Sequence, residues 1–300
     1  MKELVILGPT ASGKTALSIK LAQKFDGVIL SLDSLSIYKD IDIASAKPTC
    51  KEREGIKHFG IDVITPDTEF NVTLFFNLYK EAKEYAIQNS KNLIIVGGTS
   101  FYLKAMLSGL SEKPNVTDEI REKVAKTLQD LPSAYEKICQ TDEEYAAKIT
   151  NNDSYRMEKW YEIYYVANQV PSTFLKETMK PPLLKSIPIY EIETDRDVLR
   201  ERIRLRTSIM LENGLLEEIK MLESKYTRKP NCMKAIGIKE VLAYFDGEYD
   251  FEEMKEKIIT NTARLAKRQR TFNKTQFAPH IIVKKPLDEI FECISSEIFK

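Results

Sequence analysis

Six short apolar runs punctuate the chain, at residues 4–7, 28–32, 61–64, 93–96, 188–192 and 281–283. Most are nearly continuous Val, Ile and Leu, the pattern of strands in a parallel sheet covered on both faces. Amphipathic helical patterns at 16–25 and 73–89 alternate with them. Strand–helix alternation of this kind predicts an α/β fold: a P-loop NTPase-like core with a mostly parallel sheet flanked by helices.

Between 117 and 178 no strand pattern is visible. The stretch reads as short helices at 118–128, 132–139, 143–149, 153–168 and 172–178, punctuated by Pro114, Pro132, Pro171, Pro181 and Pro182. Residues 117–185 are therefore expected to form an all-helical insertion domain, with 1–116 and 186–300 forming the core. Beyond the fifth strand, helices are expected at 197–213, 215–224, 239–246, from 252 onward, and at 257–277.

The chain has 300 residues, enough for about two domains. Lys plus Arg equals Asp plus Glu at 45 each, so any nucleic-acid contact must come from a local basic patch rather than global steering. No apolar run approaches a bilayer span, and Met1-Lys2-Glu3 leads straight into a strand, so the expected setting is the cytoplasm, with no membrane contact. Cys50, Cys139, Cys232 and Cys293 lie far apart with no CxxC pair, which predicts buried free thiols rather than a zinc site or disulfides.

The sharpest chemical signal is Gly8-Pro9-Thr10-Ala11-Ser12-Gly13-Lys14-Thr15, which fits G-x-x-x-x-G-K-[ST] between a strand and a helix. Its backbone amides and helix N-terminus suit phosphate oxygens. Lys14 is placed to neutralise a terminal phosphate and Thr15 to touch Mg²⁺. An ATPase also wants an acid at the end of a later strand, but the fourth run ends in Gly97-Gly98-Thr99. The strand-end acid is Asp33, beside the cradle, where small-molecule kinases place a base. Phosphate cradle plus base predicts group transfer to an acceptor.

Three further blocks narrow this: Asp33-Ser34-Leu35-Ser36-Ile37-Tyr38 with Ala44-Ser45-Ala46-Lys47-Pro48, then Val96-Gly97-Gly98-Thr99-Ser100-Phe101-Tyr102, and Ala263-Arg264-Leu265-Ala266-Lys267-Arg268-Gln269. Their order and spacing resemble those of the tRNA dimethylallyltransferase (isopentenyl-tRNA transferase) family over nearly the whole chain. The resemblance implies transfer of a dimethylallyl group from dimethylallyl diphosphate to N6 of the adenosine at position 37. That base lies just 3′ of the anticodon, in tRNAs reading codons that begin with U. It implies that Gly8 to Thr15 hold the diphosphate with Mg²⁺ near Thr15, that Asp33 is the general base, and that Thr99 and Arg206 attend the diphosphate. Ser34, Leu35 and Ser36, with Ser154, Tyr155 and Arg156 of the insertion, are implied to meet the tRNA anticodon stem-loop. No obligate protein partner is implied. The chain departs from the family pattern at Ala44-Ser45, Phe59-Gly60, residues 234–240 and Phe272, none of them in the cradle or at the base.

Around residue 268 a helical wheel collects Arg264, Lys267, Arg268, Arg270 and Lys274 in an arc of roughly 160°. An apolar side faces the other way, which suits a helix laid against tRNA phosphates. The alternatives kept in view are a free-adenylate dimethylallyltransferase and an ATP-dependent P-loop small-molecule kinase. The aromatic group Trp160, Tyr161, Tyr164 and Tyr165 reads as core rather than a base-stacking platform.

Overall fold

The computed structural model describes residues 1–277, 281–283 and 286–298. The strands β1 (Glu3–Leu7), β2 (Gly27–Leu32), β3 (His58–Phe59), β4 (Asn92–Gly97), β5 (Ile189–Ile192) and β6 (Ile281–Val283) form one sheet in the order β3-β2-β4-β1-β5-β6. Every pairing is parallel. β1, β2, β4 and β5 are buried nearly throughout, which is why they carry continuous aliphatic runs instead of alternating ones.

The third strand is a correction. Pairing falls on His58–Phe59 instead of 61–64, and Ile64 makes only a single bridge to Tyr38. Gly60, at φ 75°, turns the chain after two paired residues, so the more apolar stretch leaves the sheet.

The chain divides into two compact units, Met1–Ala105 with Leu184–Lys300, and Met106–Leu183. In the first, α1 (Lys14–Lys24) and α2 (Val72–Gln88) follow the early strands, and α9 (Arg196–Glu212), α10 (Leu215–Tyr226) and α11 (Ile238–Phe245) follow β5; α3 (Ser100–Ser108) starts in the first unit and ends in the second. α12 (Phe251–Gln276) is one unbroken helix where two segments were expected, started by a reciprocal capping box between Asp250 and Glu253. Two helices carried no expectation: α3, and α13 (Leu287–Ile298). The latter buries Ile290 and Ile294 among Ile19, Leu21 and Tyr190.

The second unit contains α4 (Asp118–Thr127), α5 (Leu131–Thr141), α6 (Glu143–Ala146), α7 (Ser154–Ala167) and α8 (Pro171–Glu177). It begins ahead of residue 117 because its two ends are tied together: Leu183 donates to Met106 (2.8 Å), and Leu110 bridges Lys180. Its core holds Ile138, Met157, Trp160 and Tyr161, with Tyr164 stacked on Trp160 at 4.8 Å. Buried Asp142 accepts from Trp160 Nε1 (3.0 Å) and from the Ser172 and Tyr145 amides (2.9 and 3.1 Å). Burial pushes its pKa up, but these donors outweigh that and hold the carboxyl below its ordinary value. The aromatic group is thus core.

Of the four thiols only Cys232 is buried; Cys50 and Cys139 are exposed and Cys293 is half-buried, so the expectation of four buried thiols is corrected. Cys50 lies in a turn and Cys139 on the solvent side of α5, beside its buried Ile138. Among the described residues no helix is long and apolar enough to cross a membrane.

The tightest point in the sheet is Gly97, where a Cβ would lie 2.1 Å from the Leu32 carbonyl oxygen. Leu32 and Gly97 are paired across adjacent strands, so neither backbone can yield. Gly97→Ala is therefore expected to lower stability by about 1–3 kcal/mol or more, read as a fall in the urea midpoint by circular dichroism.

Candidate functional site

β1 delivers the chain into the loop 8–13 at the carboxyl end of the sheet, the customary place for ligands in open α/β folds. Gly13, at φ 92°, is the N-cap of α1, and Ala11 also has positive φ (62°). The loop is cupped by packing below it: Leu199 and Ile203 of α9 meet Ile259 and Ala266 of α12, with Ala11 against them.

Two cations converge on this loop. Lys14 donates to the Pro9 carbonyl (2.6 Å). The residue as a whole is half-buried, but its ammonium lies among densely packed atoms. That desolvation, reinforced by the Arg206 charge and only partly opposed by Asp33, pushes the Lys14 pKa down to about 7. Arg206 of α9 donates to Thr10 Oγ1 (3.1 Å) and the Ala46 carbonyl (3.2 Å). Burial also lowers the Arg206 pKa, against the pull of Asp33 and Glu52. Neither group makes a direct ion pair among the described residues.

Asp33 follows β2. Its Oδ1 accepts from the amides of Leu35 (2.8 Å) and Ser36 (3.1 Å), an Asx turn that pins the carboxylate. Its Oδ2 has no hydrogen-bond partner among the described residues. Ser36 is buried with its hydroxyl on Ser31 (3.1 Å), whereas Ser34 is exposed. Thr99, after β4, sends its amide to the Leu32 carbonyl (3.1 Å), which fastens it beside the strand end that carries Asp33. Next to it Tyr102 stacks on Phe75 (5.3 Å) and meets Phe70 edge-on (5.1 Å). Burial, then the charges of Tyr38 and Asp33, push the Tyr102 hydroxyl up to about 12.

The structure thus brings Thr10, Lys14, Asp33, Thr99 and Arg206 to one end of the sheet. Ser12 is buried there with its hydroxyl unpaired. Thr15 is exposed at the start of α1, and its hydroxyl has no partner among the described residues. Among the described residues no three His, Cys, Asp or Glu side chains group as a metal site. That donor set suits a Mg²⁺ that arrives on a phosphate ligand and keeps most of its water.

On α12, Arg264, Lys267, Arg268 and Lys274 are exposed, and Arg270 pairs with Glu193 (3.3 Å). Of the α9 arginines, Arg204 pairs with Glu201 (3.5 Å) while Arg202 reaches the Ala11 carbonyl (3.4 Å). Ser154, Tyr155 and Arg156 belong to the helical unit. They are exposed in the first turn of α7, behind the N-cap Asp153.

Gln269 was missed as a site residue. Its Oε1 accepts from the Thr10 amide (3.3 Å), and its side chain packs where a Cβ on Gly98 would be. A polar side chain on the apolar side of the α12 wheel was the available signal. Ala46, whose carbonyl anchors Arg206, stands in the 44–48 block, but nothing in its side chain marks that role.

Comparison with known proteins gives the family. The family described as IPP transferase matches residues 36–276. A tRNA dimethylallyltransferase of Sulfurovum sp. (strain NBC37-1) is 55% identical over 92% of this chain and 92% of its own. That of Nautilia profundicola is 52% identical over 98% and 99%. Among solved structures, the tRNA isopentenylpyrophosphate transferase of Bacillus halodurans superposes with a TM-score of 0.71 at 28% identity, over 98% of this chain and 96% of that one. A eukaryotic dimethylallyltransferase acting on tRNA gives 0.76 at 30% identity, over 94% of this chain and 74% of that one. The chain belongs to the IPP transferase family, the family of the tRNA dimethylallyltransferases.

Proposed function

We propose that this chain, in the cytoplasm, transfers a dimethylallyl group from dimethylallyl diphosphate to N6 of adenosine 37 in tRNAs reading codons that begin with U. The products are N6-(dimethylallyl)adenosine and diphosphate. The observation that carries the reading is a carboxylate with one oxygen pinned and the other free, set beside two basic groups, Lys14 and Arg206, that make no direct ion pair among the described residues.

The diphosphate is held by the 8–15 amides, Lys14 and Arg206. Charge accumulates on it as the allylic C–O bond breaks, and preformed donors in a desolvated setting stabilise that charge without reorganising. Thr15 would help hold Mg²⁺, which when bound adds its own charge at the leaving group. Asp33 Oδ2 takes the proton from the adenine amine as the new C–N bond forms. Thr99 borders the same space, and the Phe70, Phe75 and Tyr102 rings offer an apolar wall suited to the allylic chain or the base. The target base must leave its stack to reach Asp33. The exposed cations of α12 lie on the side of that helix away from Gln269, where tRNA phosphates are reached without entering the cradle. Ser154, Tyr155 and Arg156 offer the helical unit's contact to the same stem-loop.

Incubation with labelled dimethylallyl diphosphate and unmodified tRNA, followed by nucleoside analysis, tests the reaction; ATP consumption with no prenylated adenosine would support the kinase alternative. Asp33→Asn is expected to slow transfer about 10²–10⁴-fold with unchanged tRNA affinity. Single-turnover kinetics read it, and an unaltered rate removes Asp33 as the base.

Lys14 makes donor binding pH-dependent. Its pKa of about 7 in the free protein leaves it mainly neutral at pH 8. A bound anion favours the ammonium and raises that pKa. Binding of inorganic diphosphate should therefore take up close to one proton at pH 8, and progressively less below pH 7. Calorimetry in buffers of different ionisation enthalpy measures this, and Lys14→Met should abolish the uptake.

Each tRNA phosphate neutralised adds about 0.7–0.9 to the slope of log K against log salt. Replacing Lys267 and Arg268 together by Ala should reduce that slope by about 1–2, with similar affinity losses for different substrate tRNAs. A salt titration of tRNA binding decides; an unchanged slope makes this face merely solvated.

A further inference from the structure

The least explained contact near the cradle lies away from it, in the first turn of α10. Glu218 accepts three consecutive backbone amides with one carboxylate. Asp42 (2.9 Å) and Ile43 (2.7 Å) donate to Oε2, and Ala44 (2.9 Å) donates to Oε1. Those three N–H groups open a set of tight turns, in which Ser45 Oγ donates to the Ile41 carbonyl (2.6 Å) and the Ala46 amide to the Ile43 carbonyl (2.9 Å). Like the first amides of a helix, they have no acceptor within their own turn. An ionised carboxylate is the strongest acceptor available to them.

The turns end on Ala46, at φ 47°, in a left-handed conformation that alanine does not favour. Its carbonyl is one of the two hydrogen-bond acceptors that fix the Arg206 guanidinium; the other is Thr10 Oγ1. Without a bound anion, Arg206 is drawn toward Asp33 and Glu52 but makes no direct ion pair with either, so charge alone does not fix where its guanidinium points. Something else must hold it, and the Ala46 carbonyl does so only while residues 42–46 keep their path. Lys47, its side chain only 4% exposed, pins the far end of the same segment through Asp42 (2.7 Å), Asp62 and the Tyr38 carbonyl (2.8 Å).

We propose that Glu218 is a positioning residue for the reaction: by gathering the amides of Asp42, Ile43 and Ala44 it sets the Ala46 carbonyl, and through it aims Arg206 at the diphosphate. This rests on the reading of Arg206 as a diphosphate ligand. Glu218 itself touches neither substrate. It acts by keeping the clamp in place before the donor arrives, and clamp misplacement on the ångström scale is costly to catalysis.

The test is a double-mutant cycle on donor kinetics with wild type, Glu218→Gln, Arg206→Ala and the double variant, using dimethylallyl diphosphate and an unmodified anticodon stem-loop. Thermal midpoints and RNA affinity are measured on the same samples. Glu218→Gln replaces one acceptor oxygen with a donor facing an N–H. It is expected to lower kcat/KM for the donor about 10- to 100-fold, with RNA affinity unchanged. In the Arg206→Ala background the same substitution should cost less than about twofold, because the group it acts through is gone. If Glu218→Gln does not yield folded protein, Glu218→Asp, shorter by one methylene, should give the same pattern at smaller size. Equal losses in both backgrounds, or a lowered thermal midpoint with normal donor kinetics, overturn the proposal and leave Glu218 a purely structural group. Normal donor kinetics in Arg206→Ala overturn the clamp reading, and this proposal with it.

Discussion

Two basic groups held where water cannot fully reach them organise the functional end of this protein. Lys14 and Arg206 repel one another, and each is further weakened by desolvation. The fold keeps them together with neutral acceptors: the Pro9 and Ala46 carbonyls and the Thr10 hydroxyl. Asp33 supplies opposite charge to both without a direct ion pair to either, so its free oxygen stays available. An anionic ligand bound here would relieve this unfavourable electrostatics and gain part of its binding energy from doing so.

The machinery that holds the cations is spread over elements far apart in the sequence. β1 and α1 shape the loop, α9 brings Arg206, α10 holds the segment that orients it, and α12 reaches the Thr10 amide with Gln269. α9 and α12 pack on one another beneath Ala11 through Leu199, Ile203, Ile259 and Ala266. A change in how α12 sits would therefore be felt at the cradle. α12 carries its exposed cations on one side and Gln269, which reaches the Thr10 amide, on the other, so one helix links that cationic surface to the cradle.

The parts that were legible in the sequence are those written in local pattern. The cradle has fixed spacing, Asp33 sits at a strand end, and the buried strands are unbroken aliphatic runs. Thr99 and Arg206 came only through the family resemblance. The third strand was misread because pairing is decided by where Gly60 turns the chain, and the two residues that pair include a histidine. α13 carried no expectation, although Ile290 and Ile294 stand at helical spacing. A backbone carbonyl such as that of Ala46 carries no side-chain signature. Glu218, on a helix rich in Glu and Lys, looks like any solvated acid until its three amide partners are seen.

The first unit is discontinuous, and this bears on how the chain is made. β1 lies in the middle of the sheet, between β4 and β5. Leu4 through Leu7 meet β4 some ninety residues later, while Val5 waits for Ile189. Throughout that interval the ribosome delivers residues 106–183, a continuous helical stretch with its own core. Contacts between neighbours in sequence form early and distant ones late. The helical unit is thus able to close while one edge of β1, among the most apolar segments of the protein, is still unpaired. The strand that starts the phosphate loop is among the last to be completed, and a nascent chain halted before residue 189 would present that edge to any passing strand.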